Sequence, residues 1–163
     1  MYHIGDVVVY GTEGVCEVKE ITEVRFGKET NEYYILCPVR KESDTFYVPT
    51  SADKVFLRMR PVLTASQVDD VIAQTEGKET AWIGNERERV EYFKKTLLYG
   101  KCEDVLLMAR AIYRQQIRQL ESNKRLHAVD ERFLKEAEKL IIDEISYVKG
   151  IDSNEILPLI TRI

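Results

Sequence analysis

Side chains able to do covalent or acid–base work are few and scattered. His3 and His127 are the only histidines, one at the very start and one in a polar stretch between helical patterns. Cys102 could partner His127 as a thiolate–imidazole pair, but no motif surrounds either residue, and both histidines read as ordinary surface groups. No Walker loop, GxGxxG, HExxH or GxSxG is present. Carboxylates are numerous, yet they alternate with Lys and Arg as on solvated helix faces. Cys16, Cys37 and Cys102 are odd in number, far apart and without a CxxC pair. That pattern suits a reduced, cytoplasmic protein and offers no metal framework. Neither an enzyme, a metal site nor a cofactor is expected.

The cations carry more information. Arg110, Arg114 and Arg118 recur every four residues, which puts them in one stripe if the segment is helical. Lys124 and Arg125 follow, so the stretch from Ala109 to Ala128 holds five basic residues and one acid, Glu121, in a chain of formal charge −4. The stripe is either a solvated face whose charge suits a helix C-terminus or a local patch for nucleic-acid phosphates. Trp82, the only tryptophan, sits in Lys78–Asn85 just before a helical pattern. It either packs in a core or interface, or projects as an apolar wedge of the kind that kinks DNA. As a projecting group it would add little to stability. Arg87, Arg89, Lys94 and Lys95 follow it within phosphate reach, among Glu86, Glu88 and Glu91.

Two kinds of element must hold these groups. Up to about Met59 the pattern is short strands cut by turns: Asp6–Tyr10, Val15–Val24, Glu32–Cys37, Thr45–Val48 and a closing run Phe56–Met59. Strands at about ten-residue spacing predict a small, strongly bent antiparallel barrel. Beyond Pro61 the period changes. Thr64–Gln67 reads as a capping box opening a helix to about Gln74. Helices over Glu86–Tyr99 and Glu103–Leu120, one capped by Asp130 and running to Lys149, and a short terminal one behind Asp152–Glu155 complete the chain. The fold class is therefore α+β, a β domain over 1–60 and an all-helical domain over 64–163. With 163 residues and 44% hydrophobic content, two small domains can each bury a core. No apolar run reaches the roughly 20 residues a membrane span needs, and the first residues lack the basic and apolar regions of a secretory signal.

The opening Gly5-Asp6-Val7-Val8-Val9-Tyr10-Gly11-Thr12-Glu13-Gly14-Val15 resembles the start of CarD/CdnL proteins, a module shared with transcription-repair coupling factors. Glu32–Leu36, Tyr47-Val48-Pro49, Trp82, Asn85-Glu86-Arg87, Leu97–Gly100 and Arg110–Arg114 extend the resemblance over nearly the whole chain. It departs at Gly11, where the family has proline, at Glu13, where it has histidine, and at Tyr47, where some relatives have arginine. The resemblance implies a Tudor-like β domain that grips the RNA polymerase β subunit, with Arg25, Tyr47 and Val48 as the contact. It also implies a helical domain that touches promoter DNA, with Trp82 wedged into the minor groove at the upstream edge of the bubble and the open complex stabilised. Arg87, Arg89, Arg110, Arg114, Arg118, Lys124 and Arg125 are the candidate DNA-binding cations on the phosphate backbone. A protein-interaction adaptor without DNA contact is the other reading. A monomer and a strand-swapped dimer are both compatible with the sequence.

Overall fold

A computed structural model describes residues 1–41, 43–51 and 58–162. The chain divides into two compact units, Met1–Val62 and Leu63–Ile163.

The first unit is a five-stranded antiparallel sheet: β1 (Val7–Tyr10), β2 (Gly14–Phe26), β3 (Glu29–Pro38), β4 (Phe46–Pro49) and β5 (Met59–Pro61), in the order β4-β3-β2-β1-β5. A single 3-10 turn, Gly11–Glu13, links β1 to β2. It closes on Gly14 at φ 82°, a backbone region that costs glycine little. The expected barrel is not formed. Among the described residues no ladder joins β4 to β5, and each of these short strands pairs along one edge only. The sheet is open. Its long hairpin extends further than the turn residues suggested: Phe26 pairs with Glu29, leaving only Gly27-Lys28 as the connection. Gly27, at φ 66°, meets the positive φ that two-residue hairpin turns need. A register shift between Val18 and Glu20 marks a bulge, which sharpens the twist of β2. Alternation then directs Val8, Cys16, Val18, Tyr34, Leu36, Val48 and Met59 into one core. The expected closing strand begins later, at Met59; Phe56 and Leu57 fall outside the described residues.

The second unit holds five helices: α1 (Ala65–Thr75), α2 (Glu86–Tyr99), α3 (Cys102–Glu121), α4 (Ala128–Lys149) and α5 (Ser153–Thr161). Three of the five starts follow side-chain capping chemistry. Thr64 and Gln67 exchange side-chain and backbone bonds before α1. The Asn85 side chain accepts from the Glu88 N–H at 3.1 Å before α2, and Asp152 and Glu155 form the box before α5. Each bond satisfies an amide that the first turn leaves without a helical partner. Gly150 ends α4 in the left-handed conformation at φ 66°, the usual glycine role past a helix end. Asp130 is not a cap: α4 begins at Ala128 behind His127, and the Asp130 carboxylate is engaged elsewhere. Leu106, Met108, Ala109 and Ile112 of α3 meet Phe133, Ala137, Ile141 and Ile145 of α4 in the core, with Val68, Phe93, Ile156 and Ile160 from the other helices.

Candidate functional site

Trp82 lies in the connection between α1 and α2. Its indole is half-buried against the helical core, 6.2 Å from the Phe93 ring. The Arg89 guanidinium carbon stands 4.7 Å from the indole centroid, within cation–π range. Arg89, one turn into α2, is itself buried. Its Nε and Nη2 donate to the two oxygens of Asp130 at 2.9 and 3.0 Å, and its Nη1 donates to the carbonyls of Ile83 and Gly84 at 2.9 and 3.2 Å. This bidentate pair explains why Asp130 does not cap α4. Arg89 was expected among the phosphate contacts, but its charge is used inside the fold, where side-chain exposures of 5% and 1% for the pair leave no approach for DNA.

The remaining surface of the indole borders a cleft of about 230 Å3. Gly84, Glu86, Gln115, Gln119, Leu126 and His127 line it with Trp82. Trp82 is thus neither a freely projecting group nor a sealed core residue, and the expectation that its removal costs little stability is corrected. His127 and Glu86 approach to 3.7 Å at the rim, both well exposed. Sequence reasoning missed Asp130, Gln115 and Gln119. Nothing in a single sequence marks a helix interior glutamine as facing a tryptophan that lies on another element.

The arginine stripe splits along α3. Arg110 is only 4% exposed. It donates to Thr75 O at 2.6 Å and doubly to Leu159 O at 3.0 and 2.8 Å, carbonyls at the ends of α1 and α5. A cation there satisfies acceptors that helix C-termini leave open. Burial first, then the neighbouring Arg114, lowers its pKa from the ordinary value. Arg114 is 12% exposed, 3.6 Å from Glu79, and donates to Lys78 O at 3.2 Å. Both expected phosphate contacts therefore hold the 75–79 segment instead. The solvated-face reading fails for them too, because the stripe passes under this connection. Arg118, Lys124, Arg125 and Arg87 are exposed and make no ion pair with any described residue. Leu126 is shared between the Trp82 cleft and a neighbouring one lined by Gln116, Leu120, Arg125 and Glu131. Arg125 thus stands beside the Trp82 cleft. Arg118, one turn past Arg114 on the helix that carries Gln115 and Gln119, is a near neighbour on α3.

In the first unit Arg25 is exposed near the hairpin tip, its Nε donating to Gly27 O at 3.1 Å. Tyr47 is 54% exposed on β4, a strand with one sheet neighbour among the described residues. Val48 is 1% exposed and belongs to the sheet core. Its expected contact role is corrected for the side chain: strand alternation turns it inward wherever Tyr47 points outward. Tyr47 instead joins a row of rings running across three strands. Tyr33 lies 6.5 Å from Tyr47 and 5.5 Å from Phe26, and Phe26 is as open to solvent as Tyr47.

No helix of the described residues is long and apolar enough to cross a membrane. A family model described as "CarD-like/TRCF RID domain" matches residues 2–63. The chain is 24% identical over 157 residues to the Bacillus subtilis (strain 168) protein named "Putative transcription factor YdeB", covering 96% of this chain and 97% of that protein. The family match ends where the sheet unit ends, whereas the pairwise likeness runs on through the helices. The sheet unit of this chain is thus similar to CarD-like/TRCF RID domains.

Proposed function

We propose that this protein is a transcription regulator that docks on the RNA polymerase β subunit through its sheet unit and meets promoter DNA through its helical unit, stabilising the open complex. The observation that carries the reading is the Trp82 cleft: a half-open indole among helices, with Arg125 lining the neighbouring cleft and Arg118, Lys124 and Arg87 exposed on the same unit. An apolar ring with nearby cations is the equipment for engaging a distorted base step and its phosphates. The family match of residues 2–63 supports the polymerase half. For that contact the outer edge of β4 offers backbone groups for strand pairing, while Tyr47 gives the edge a side chain to recognise. An acidic chain with so small a cationic patch binds free DNA weakly. Once tethered to polymerase it sees promoter DNA at high effective concentration, and weak contacts suffice.

The half-burial of Trp82 also favours a second reading, in which the helical unit docks another protein and never touches DNA. One experiment separates them. The full chain is co-purified with core RNA polymerase, and open-complex lifetime is then measured on a promoter with wild type, Arg118→Glu/Arg125→Glu and Trp82→Ala. Retention on polymerase with a longer lifetime, abolished in both variants, supports the DNA reading. Retention without any change in lifetime supports the adaptor, and failure to co-purify rejects both.

A further inference from the structure

We propose that Arg89 is a positioning residue for Trp82, anchored by Asp130, so that the indole is presented in one preset orientation. This rests on the reading of Trp82 as the DNA-engaging group. Arg89 and Asp130 lie 41 positions apart in sequence and join α2 to α4 through two parallel bonds in a buried setting. A purely structural pair needs only those bonds. Arg89 makes two further sets of contacts, and both are aimed at the tryptophan segment. Nη1 holds the carbonyls of Ile83 and Gly84, the two residues that follow Trp82, and the guanidinium plane backs the indole at 4.7 Å. Only a planar fork can reach a carboxylate, two carbonyls and a ring at once; a lysine ammonium is a single point charge and cannot.

Stability alone does not account for such a group. Buried ion pairs are often replaceable by well-packed apolar residues without loss. The gain lies in preorganisation. A tryptophan free to sample rotamers must be immobilised when it engages its target. Ordering one side chain lowers an association constant by about two- to twelvefold. Arg89 removes that cost in advance.

The test uses the full chain and exploits Trp82 as the sole tryptophan, so emission, anisotropy and acrylamide quenching report this side chain when excitation is set at the red edge, where tyrosine does not absorb. The main variant is Arg89→Met/Asp130→Leu, which removes the fork but leaves no unpaired buried charge. Arg89→Lys serves as the second variant should the double one not fold, because it keeps a cation opposite Asp130. Both are expected to retain helical circular dichroism while acrylamide quenching rises and anisotropy falls. Open-complex lifetime on polymerase should drop by about two- to twelvefold, towards that of Trp82→Ala. A folded variant with wild-type quenching overturns the proposal. So does one whose quenching rises while its lifetime stays that of wild type, provided Trp82→Ala shortens it. If Trp82→Ala itself leaves the lifetime unchanged, the DNA reading has failed. The quenching comparison then upholds or overturns the clamp on its own.

Discussion

Replacing Trp82 by alanine perturbs two properties that the fold has coupled in one residue. The indole packs beside Phe93 and beneath the Arg89 guanidinium, but part of it faces the cleft that Gln115 and Gln119 share. A fully buried tryptophan cut to alanine costs about 3–5 kcal/mol. Half-burial brings the packing share down to roughly 2 kcal/mol, and removal of the cation–π interaction adds up to about 1 kcal/mol at a partly exposed site. For a unit of this size each kcal/mol is worth about 4–8 °C in midpoint, so the helical unit should melt about 8–24 °C lower. Thermal unfolding followed at a helix-sensitive wavelength gives the number. Open-complex lifetime must then be compared at a temperature where both proteins are folded. There Trp82→Ala should still shorten the lifetime, and Trp82→Phe should recover most of the stability with part of the lifetime. A midpoint lowered by less than about 2 °C would refute the packing described for the indole. A variant as effective as wild type on the promoter would refute its role towards DNA.

Further outcomes follow from the same geometry. Arg118→Glu with Lys124→Glu and Arg125→Glu should weaken promoter-complex stabilisation similarly on all promoters. The logarithmic salt slope should flatten by about 0.9 for each phosphate that is no longer neutralised; Arg110→Glu should instead unfold the helical unit, since it buries a carboxylate against the carbonyls of Thr75 and Leu159. In the sheet unit, Tyr47→Ala should reduce retention on polymerase with little change in melting, whereas Val48→Ala should cost about 2 kcal/mol of stability by emptying a core position; a pull-down and a melt on each variant separate the two. Burial, opposed by the charge of Lys135, raises the Glu138 pKa above its ordinary 4.5. The folded state thus holds this proton more tightly than the unfolded chain, and that contribution is complete below pH 4.5 and lost as pH rises through the higher folded value. Glu138→Gln should therefore raise stability at neutral pH relative to wild type, with the advantage vanishing in acid; an equal gain at every pH would rule this out.

The local rules of the chain are legible in its sequence alone. Strand alternation, the Thr64 and Asp152 boxes, the Asn85 entry to α2 and the change of period near Pro61 all depend on neighbours a few residues apart, and the elements stand close to where they were expected. Pairwise closure was not legible. Whether β4 meets β5 depends on the path of the chain between distant edges, and the barrel expected from strand spacing is an open sheet. Charge roles were legible only as possibilities. A stripe at every fourth residue fixes which arginines share a helix face, but not what crosses that face. The 75–79 connection covers Arg110 and Arg114, and Arg118 beyond it stays in solvent. Arg89 and Asp130, 41 residues apart, read as a surface cation and a helix cap because each has a sufficient local explanation. Only packing α2 against α4 removes both from water, and burial then obliges them to pair. Trp82 took its meaning from the same event: the sequence marks a lone indole at a helix entrance, and tertiary packing decides how much of it remains for a partner.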